Sequence, residues 1–155
     1  MPQMNKGGKF IFGKSLIRED LTIHIPPQAL TEYNATAEEK VYLFTGSKIT
    51  GGFCVTRKGL LKPSKLGHIL SDNPALQNYQ TAEGEFIKYK GRSYCWVSIS
   101  GTGVIQLNQK MLDFLNLEIG IELLSIRSSD IAFTMGAKGP LLEKAENYDG
   151  EIPIY

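Results

Sequence analysis

Short apolar runs, alternating or continuous and each stopped by Gly, Asn, Asp or Ser, dominate the chain and predict strands; few stretches carry apolar residues at helical spacing. Leu21-Thr-Ile-His-Ile25 and residues 103–107 both read as strands. After the second, Met111, Leu112, Leu115 and Leu117 follow Asn108. An Asn there can accept a first-turn N–H, so a helix of two turns is expected. After the first, Pro26-Pro27 opens an equivalent helix, because a proline's missing N–H costs nothing in a first turn. Two further strands follow each helix: Lys40–Thr45 and residues 53–57 across the polar turn 46–52, then Glu122–Arg127 and residues 131–135 across 128–130. Between these segments, residues 71–79 predict a short helix capped by Asp72 or Asn73 before Pro74, and residues 85–90 and 93–100 predict a hairpin across Gly91-Arg92. Residues 148–155 show no helical pattern and read as a terminal strand or a loose tail.

The two strand, helix, hairpin segments echo one another. At an offset of 82, apolar falls on apolar at Ile25/Leu107, Leu30/Leu112, Tyr33/Leu115, Ala35/Leu117, Val41/Leu123 and Phe44/Ile126. Past Ser47/Ser129 the first segment holds two extra residues, and the match resumes at an offset of 80 with Phe53/Phe133, Lys58/Lys138, Gly59/Gly139 and Leu61/Leu141. An internal duplication is expected, and with it a symmetric architecture. A weaker echo sets Phe12-Gly-Lys-Ser against Lys90-Gly-Arg-Ser, as two similar hairpin turns would.

The repeated unit resembles the AbrB/SpoVT/MazE-like family of swapped-hairpin DNA-binding domains. The first copy carries the likeness in Ile25-Pro26, Ala29-Leu30 and Val41-Tyr-Leu-Phe44, the second in Gly103, Leu115-Asn-Leu117, Ile119-Gly120-Ile121 and Leu123. The resemblance covers about 40 residues in each copy. It implies a mainly β fold with short helices: a duplicated AbrB-like swapped-hairpin barrel with a β-hairpin insert between the copies. Such a unit is too small to bury its apolar face alone, so two interleave, here within one chain. The expected organisation is a first repeat with N-terminal strands over residues 1–65, a connecting helix and hairpin over 66–100, a second repeat over 101–145 and a tail over 146–155, all in one pseudo-twofold unit.

The resemblance also implies DNA binding by basic side chains after the strand glycine and on the short helix. Those positions fall on Thr22 and Val104, and on Leu30-Thr31 and Leu112-Asp113; none is basic. Contact with phosphate must therefore come from elsewhere.

Composition bounds the rest. With 155 residues, 42% hydrophobic, the chain can bury a real core. Its longest apolar runs fall far short of the roughly 20 residues that span a bilayer, and the run after Lys6 and Lys9 is only Phe10-Ile11-Phe12 before Gly13, too short for a signal peptide. A cytoplasmic protein with no membrane segment is expected. Cys54 and Cys95 stand outside any C-x-x-C arrangement, each beside apolar or aromatic neighbours, and read as buried thiols.

The formal net charge of +1 excludes a blanket electrostatic coat, but the charge is uneven. Residues 1–80 hold ten Lys+Arg against six Asp+Glu, a balance of +4; residues 81–155 hold seven against ten, a balance of −3. Three basic stretches are candidate phosphate contacts: Lys9, Lys14 and Arg18; Arg57, Lys58, Lys62 and Lys65; and Lys88, Lys90 and Arg92 beside Tyr89, Tyr94 and Trp96. Lysines at such places also keep sheet edges from pairing with other chains.

Catalytic chemistry finds little material. His24 alternates with Ile23 and Ile25, so it points away from them; His68 lies in a connecting segment without metal-ligand spacing around it. Gly46-Ser-Lys-Ile-Thr-Gly-Gly52 lacks the ending of a phosphate loop. No catalytic residue, metal or cofactor is expected. The leading expectation is a DNA-binding transcriptional regulator of AbrB-like type. The alternative is an AbrB-like barrel without DNA binding that serves as a protein-interaction or small-ligand module, and a homo-oligomer or protein partner is possible in either case.

Overall fold

The computed structural model describes residues 11–45, 51–65, 67–127, 129, 131–137 and 154–155. The expected turn residues 46–50 and most of the tail from 138 onward lie outside the described residues. The fold is mainly β. In chain order its elements are β1 (Ile11–Leu16), β2 (Thr22–His24), α1 (Pro27–Tyr33), β3 (Lys40–Thr45), β4 (Phe53–Thr56), α2 (Lys58–Leu61), α3 (His68–Asp72), α4 (Pro74–Gln77), β5 (Ile87–Tyr89), β6 (Arg92–Ser98), β7 (Val104–Gln106), α5 (Gln109–Leu115), β8 (Glu122–Arg127) and β9 (Phe133–Gly136).

Seven strands form one antiparallel sheet in the order β1-β8-β9-β4-β3-β6-β5, and β2 and β7 form a separate two-stranded ribbon. The hairpins β3–β4 and β8–β9 lie at the middle, joined where Cys54 stands opposite Thr134. Their flanking strands cross over. β1, which precedes α1, pairs with β8, with Lys14 opposite Leu124; β6, which precedes α5, pairs with β3, with Trp96 opposite Tyr42.

Two of the three expected helices, α1 and α5, form where the apolar spacing put them; in place of the third, over 71–79, stand α3 and α4, and Asn73 before Pro74 makes no side-chain capping bond. Asn108 caps α5 by accepting the Met111 N–H at 2.9 Å, and Pro27 opens α1. Both helices end on an Asn in the left-handed region, Asn34 at φ 51° and Asn116 at φ 57°, a conformation Asn tolerates better than most residues. β9 starts later than expected because the Ser129 hydroxyl accepts the N–H groups of Ile131 and Ala132, each at 3.3 Å, and holds them in a turn. In the β5–β6 hairpin the positive-φ residues are Lys90 and Gly91, one position before the expected pair. The Phe12-Gly-Lys-Ser echo is not a second hairpin turn: Gly13 lies inside β1 at a register shift, whereas Gly91 is a turn residue.

Two cores sit on opposite faces of the large sheet. Alternation along β3 sends Val41 and Leu43 to one face and Tyr42 and Phe44 to the other. The first core gathers Phe12, Tyr33 and Phe133, with ring centroids 5.1 to 6.3 Å apart, and closes against β2, β7, α1 and α5 through Ile23, Ile105, Ala29 and Leu112. The second packs Leu61, Ile69, Leu70 and Leu76 from α2, α3 and α4 onto Tyr42, Phe44 and Tyr94. The pattern did not predict α2 and α3 as helices. Helices of four and five residues are too short to show a period, and they hold because each buried Leu or Ile contributes about 2 kcal/mol. Cys95 belongs to the first core and Cys54 to the second, so the sheet itself separates the two buried thiols.

Among the described residues, no helix is long and apolar enough to cross a membrane.

Candidate nucleic-acid interface

The six positions that the family resemblance singles out are uncharged or acidic. On the ribbon and its two helices Leu112 is buried, Leu30 packs against Gly103, the Thr31 hydroxyl donates to the Pro27 carbonyl at 3.1 Å, and Asp113 accepts from Gln109 at 2.9 Å. Thr22 and Val104 sit half-buried in the ladder. None of these six side chains offers a cation to phosphate; the exposed Lys110 of α5 stands outside them.

The ten basic candidates lie in several different settings. Lys9 lies outside the described residues. Lys14 and Arg57 are engaged by carboxylates of this chain. Lys14, with its side chain only 13% exposed, meets Glu122 of β8 at 3.7 Å. Arg57 leaves β4 as the residue before α2; its Nε donates to the Tyr33 carbonyl at 3.0 Å and its Nη1 to Glu38 Oε2 at 2.6 Å. The same Glu38 oxygen accepts the Gly59 N–H at 2.9 Å, so Arg57 and Glu38 tie the end of α1 to the start of α2. Arg18 is exposed, but it shares a shallow cavity of about 600 Å³ with Glu19, Asp20 and Ile119. The Thr22 hydroxyl and N–H hold the Asp20 carboxyl below the usual carboxylate range, with a smaller contribution from Arg18.

Five of the remaining six candidates, all but Lys58, lie on the α2–α3 turn and the β5–β6 hairpin. Lys62 and Lys65 are exposed on the turn from α2 to α3. The Lys65 carbonyl oxygen lies 3.0 Å from His68 Nδ1, and the His68 ring stands 5.7 Å from that of Tyr89 on β5. The Tyr89 hydroxyl donates to the Asp72 carboxylate, and that bond pushes the phenol up to about 12. Lys90 stands over the Tyr89 ring at 5.3 Å, while Arg92, opposite Tyr89 in the ladder, lies over Phe44 at 5.5 Å. Lys88 is exposed on the same short strand. Two basic stretches more than 20 residues apart in the chain thus share one border of the sheet, at the β5 edge. Lys14 is on β1, the opposite edge strand.

One basic side chain escaped the sequence reading. Lys40, at the start of β3, approaches the ring of Tyr79 at 5.3 Å, and Lys58 approaches the same ring at 4.2 Å. Tyr79 stacks on Tyr42 at 5.7 Å and 21° and meets Trp96 edge-on at 5.5 Å; burial raises both tyrosine phenols. Strand alternation was the signal available: Lys40, Tyr42 and Phe44 share a face.

His24 is half-buried in the ribbon, and its carbonyl accepts the Ser15 hydroxyl at 2.6 Å. Among the described residues, no group of three His, Cys, Asp or Glu side chains could hold a metal. Phe86 and Phe114 stack at 4.5 Å beside a shallow cavity of about 510 Å³ lined also by Glu83, Glu85 and Lys110. No family model matches the chain, and no curated protein or solved structure matches it either.

Proposed function

We propose that the chain is an internally duplicated swapped-hairpin barrel of AbrB-like kind that acts as a DNA-associated regulator and holds phosphate through one asymmetric basic border. Several observations support the duplication. α1 and α5, β3 and β8, and β2 and β7 repeat at the offset of 82, and β4 and β9 at 80. The crossed pairing of β1 with β8 and β6 with β3 is what interleaved hairpins require.

The observation that carries the function is the meeting of the α2–α3 turn with the β5–β6 hairpin through His68 and Tyr89, which gathers Lys62, Lys65, Lys88, Lys90 and Arg92 on one border. Exposed cations gathered in this way release counterions from DNA, and each phosphate neutralised adds about 0.9 to the logarithmic salt slope. The test is binding to a mixed-sequence duplex over a salt titration. A negative slope that shrinks in a Lys90→Ala, Arg92→Ala variant is the expected result; no binding at low ionic strength, or binding without a slope, removes the reading.

The stack of exposed Phe114 on half-buried Phe86 favours a second reading, a barrel that binds a protein or small ligand at this cavity. A partner whose binding is lost in Phe114→Ala and kept in Lys90→Ala would select it.

A further inference from the structure

The basic side chains at Tyr79 differ from those at the β5 edge. Lys40 and Lys58 are both half-buried, and neither forms an ion pair among the described residues. Both approach one aromatic ring, which also stacks on Tyr42. The carboxylate near this group, Glu38, is already shared between Arg57 and the Gly59 N–H, and Glu39, next to Lys40 in sequence, is exposed. The ring attracts each ammonium, yet it cannot neutralise either, and two like charges drawn to one place repel. An anion placed between them relieves that repulsion. The two ammonium groups can be no farther apart than their distances to the ring laid end to end, a span that flexible lysine side chains close around one phosphate group.

We propose that Lys40 and Lys58, set over Tyr79, form a phosphate-binding subsite at the end of the β3 strand, distinct from the exposed border at β5. Its ligand is a phosphate group, carried either by a nucleic-acid backbone or by a free phosphorylated molecule. As a subsite for backbone phosphate it rests on the proposed DNA reading; as a site for free phosphate it does not. Glu38, whose charge reaches the Tyr79 phenol, is bonded to Arg57 and the Gly59 N–H, and neither lysine has a carboxylate partner among the described residues.

The single tryptophan of the chain reports on this place, because Trp96 lies edge-on to Tyr79 at 5.5 Å. The experiment follows Trp96 fluorescence while the protein is titrated with inorganic phosphate and, separately, with a mixed-sequence duplex at several salt concentrations. The panel is the wild type, Lys40→Met, Lys58→Met, the double variant, a Lys40→Arg, Lys58→Arg variant and Lys90→Ala. Methionine keeps the stem of each side chain and arginine keeps its charge, and thermal melts identify any variant that fails to fold.

A Trp96 response to either ligand that is lost in the double Met variant and kept in the Arg variant supports the subsite. For backbone phosphate, the double Met variant also lowers the salt slope by about 1.8. Duplex binding that keeps its slope and its Trp96 response in the double Met variant overturns the subsite and leaves the β5 border standing. Failure of the duplex to bind, together with a lysine-dependent response to inorganic phosphate, overturns the DNA reading and leaves the subsite. No duplex binding at low ionic strength, together with no Trp96 response to inorganic phosphate, overturns both.

Discussion

Ile23 and Ile105 stand opposite one another at the centre of the β2–β7 ribbon, and 82 residues separate them. The contacts around them repeat in kind. The Ile25 N–H donates to the Gly103 carbonyl at 2.9 Å, and the Leu107 N–H donates to the Leu21 carbonyl at 2.8 Å. Leu21 and Gly103 also share a backbone conformation, at φ 65° and φ 87°.

Gly103 tolerates that conformation because it lacks a Cβ, and its place is crowded: a Cβ would lie 2.4 Å from Leu30 Cδ1. Gly103→Ala is expected to lower stability by about 1–3 kcal/mol, from the left-handed backbone and the displaced Leu30 together. Urea denaturation followed by circular dichroism measures it. An unchanged midpoint would mean that the ribbon is not held in this way.

Arg57 has a structural part that its charge alone hides. Arg57→Ala removes the bonds to Tyr33 and Glu38 and leaves Glu38 partly buried beside α2, for an expected loss of about 2 kcal/mol. Lys62→Ala, at an exposed turn, is expected to stay within about 0.5 kcal/mol of the parent. Equal effects in the same urea series would contradict the distinction drawn between the two residues.

Ser125 is fully buried on β8, and its hydroxyl has no hydrogen-bond partner among the described residues. Removing an unsatisfied buried hydroxyl costs little, so Ser125→Ala should be neutral or stabilising by up to about 1 kcal/mol. A thermal melt showing a clear loss would point to a bonded hydroxyl.

Raised thiols and phenols together set the alkaline limit. Burial pushes the Cys95 thiol up to about 12 from an ordinary 9.0 and raises Cys54 as well. The bond to Asp72 likewise raises Tyr89. The folded state thus favours the protonated forms, and their contribution is complete below the ordinary values and lost as pH rises toward 12. Both cysteines should resist a disulfide reagent at pH 8 in the native protein and react once it is denatured. Stability should fall above about pH 9, and Cys95→Ala should flatten that fall. Rapid native labelling of both thiols would contradict their burial.

Much of the local structure was legible in the chain. Alternation marked β3, β6 and β8, and a capping Asn with apolar residues at helical spacing marked α5, because each signal is contained in ten or so consecutive residues. α2 and α3 were not legible, since they are held by Tyr42, Phe44 and Tyr94 rather than by their own periodicity. The candidate site was legible as a set of charges and not as an arrangement. Lys14 and Arg57 look like Lys90 and Arg92 in sequence, and only their carboxylates, Glu122 at a separation of 108 residues and Glu38 at 19, set them apart.

By itself, the sequence determined which short segments become strands and helices, which side of each strand is apolar, and that two segments share one pattern. The tertiary structure decided which strands meet, which charges are spent on internal ion pairs, and that two distant basic stretches share the β5 border. The physical reason is range. Periodicity and capping act within a turn or two of the chain, whereas burial, ion pairing and ring contacts depend on residues that only the folded sheet brings together.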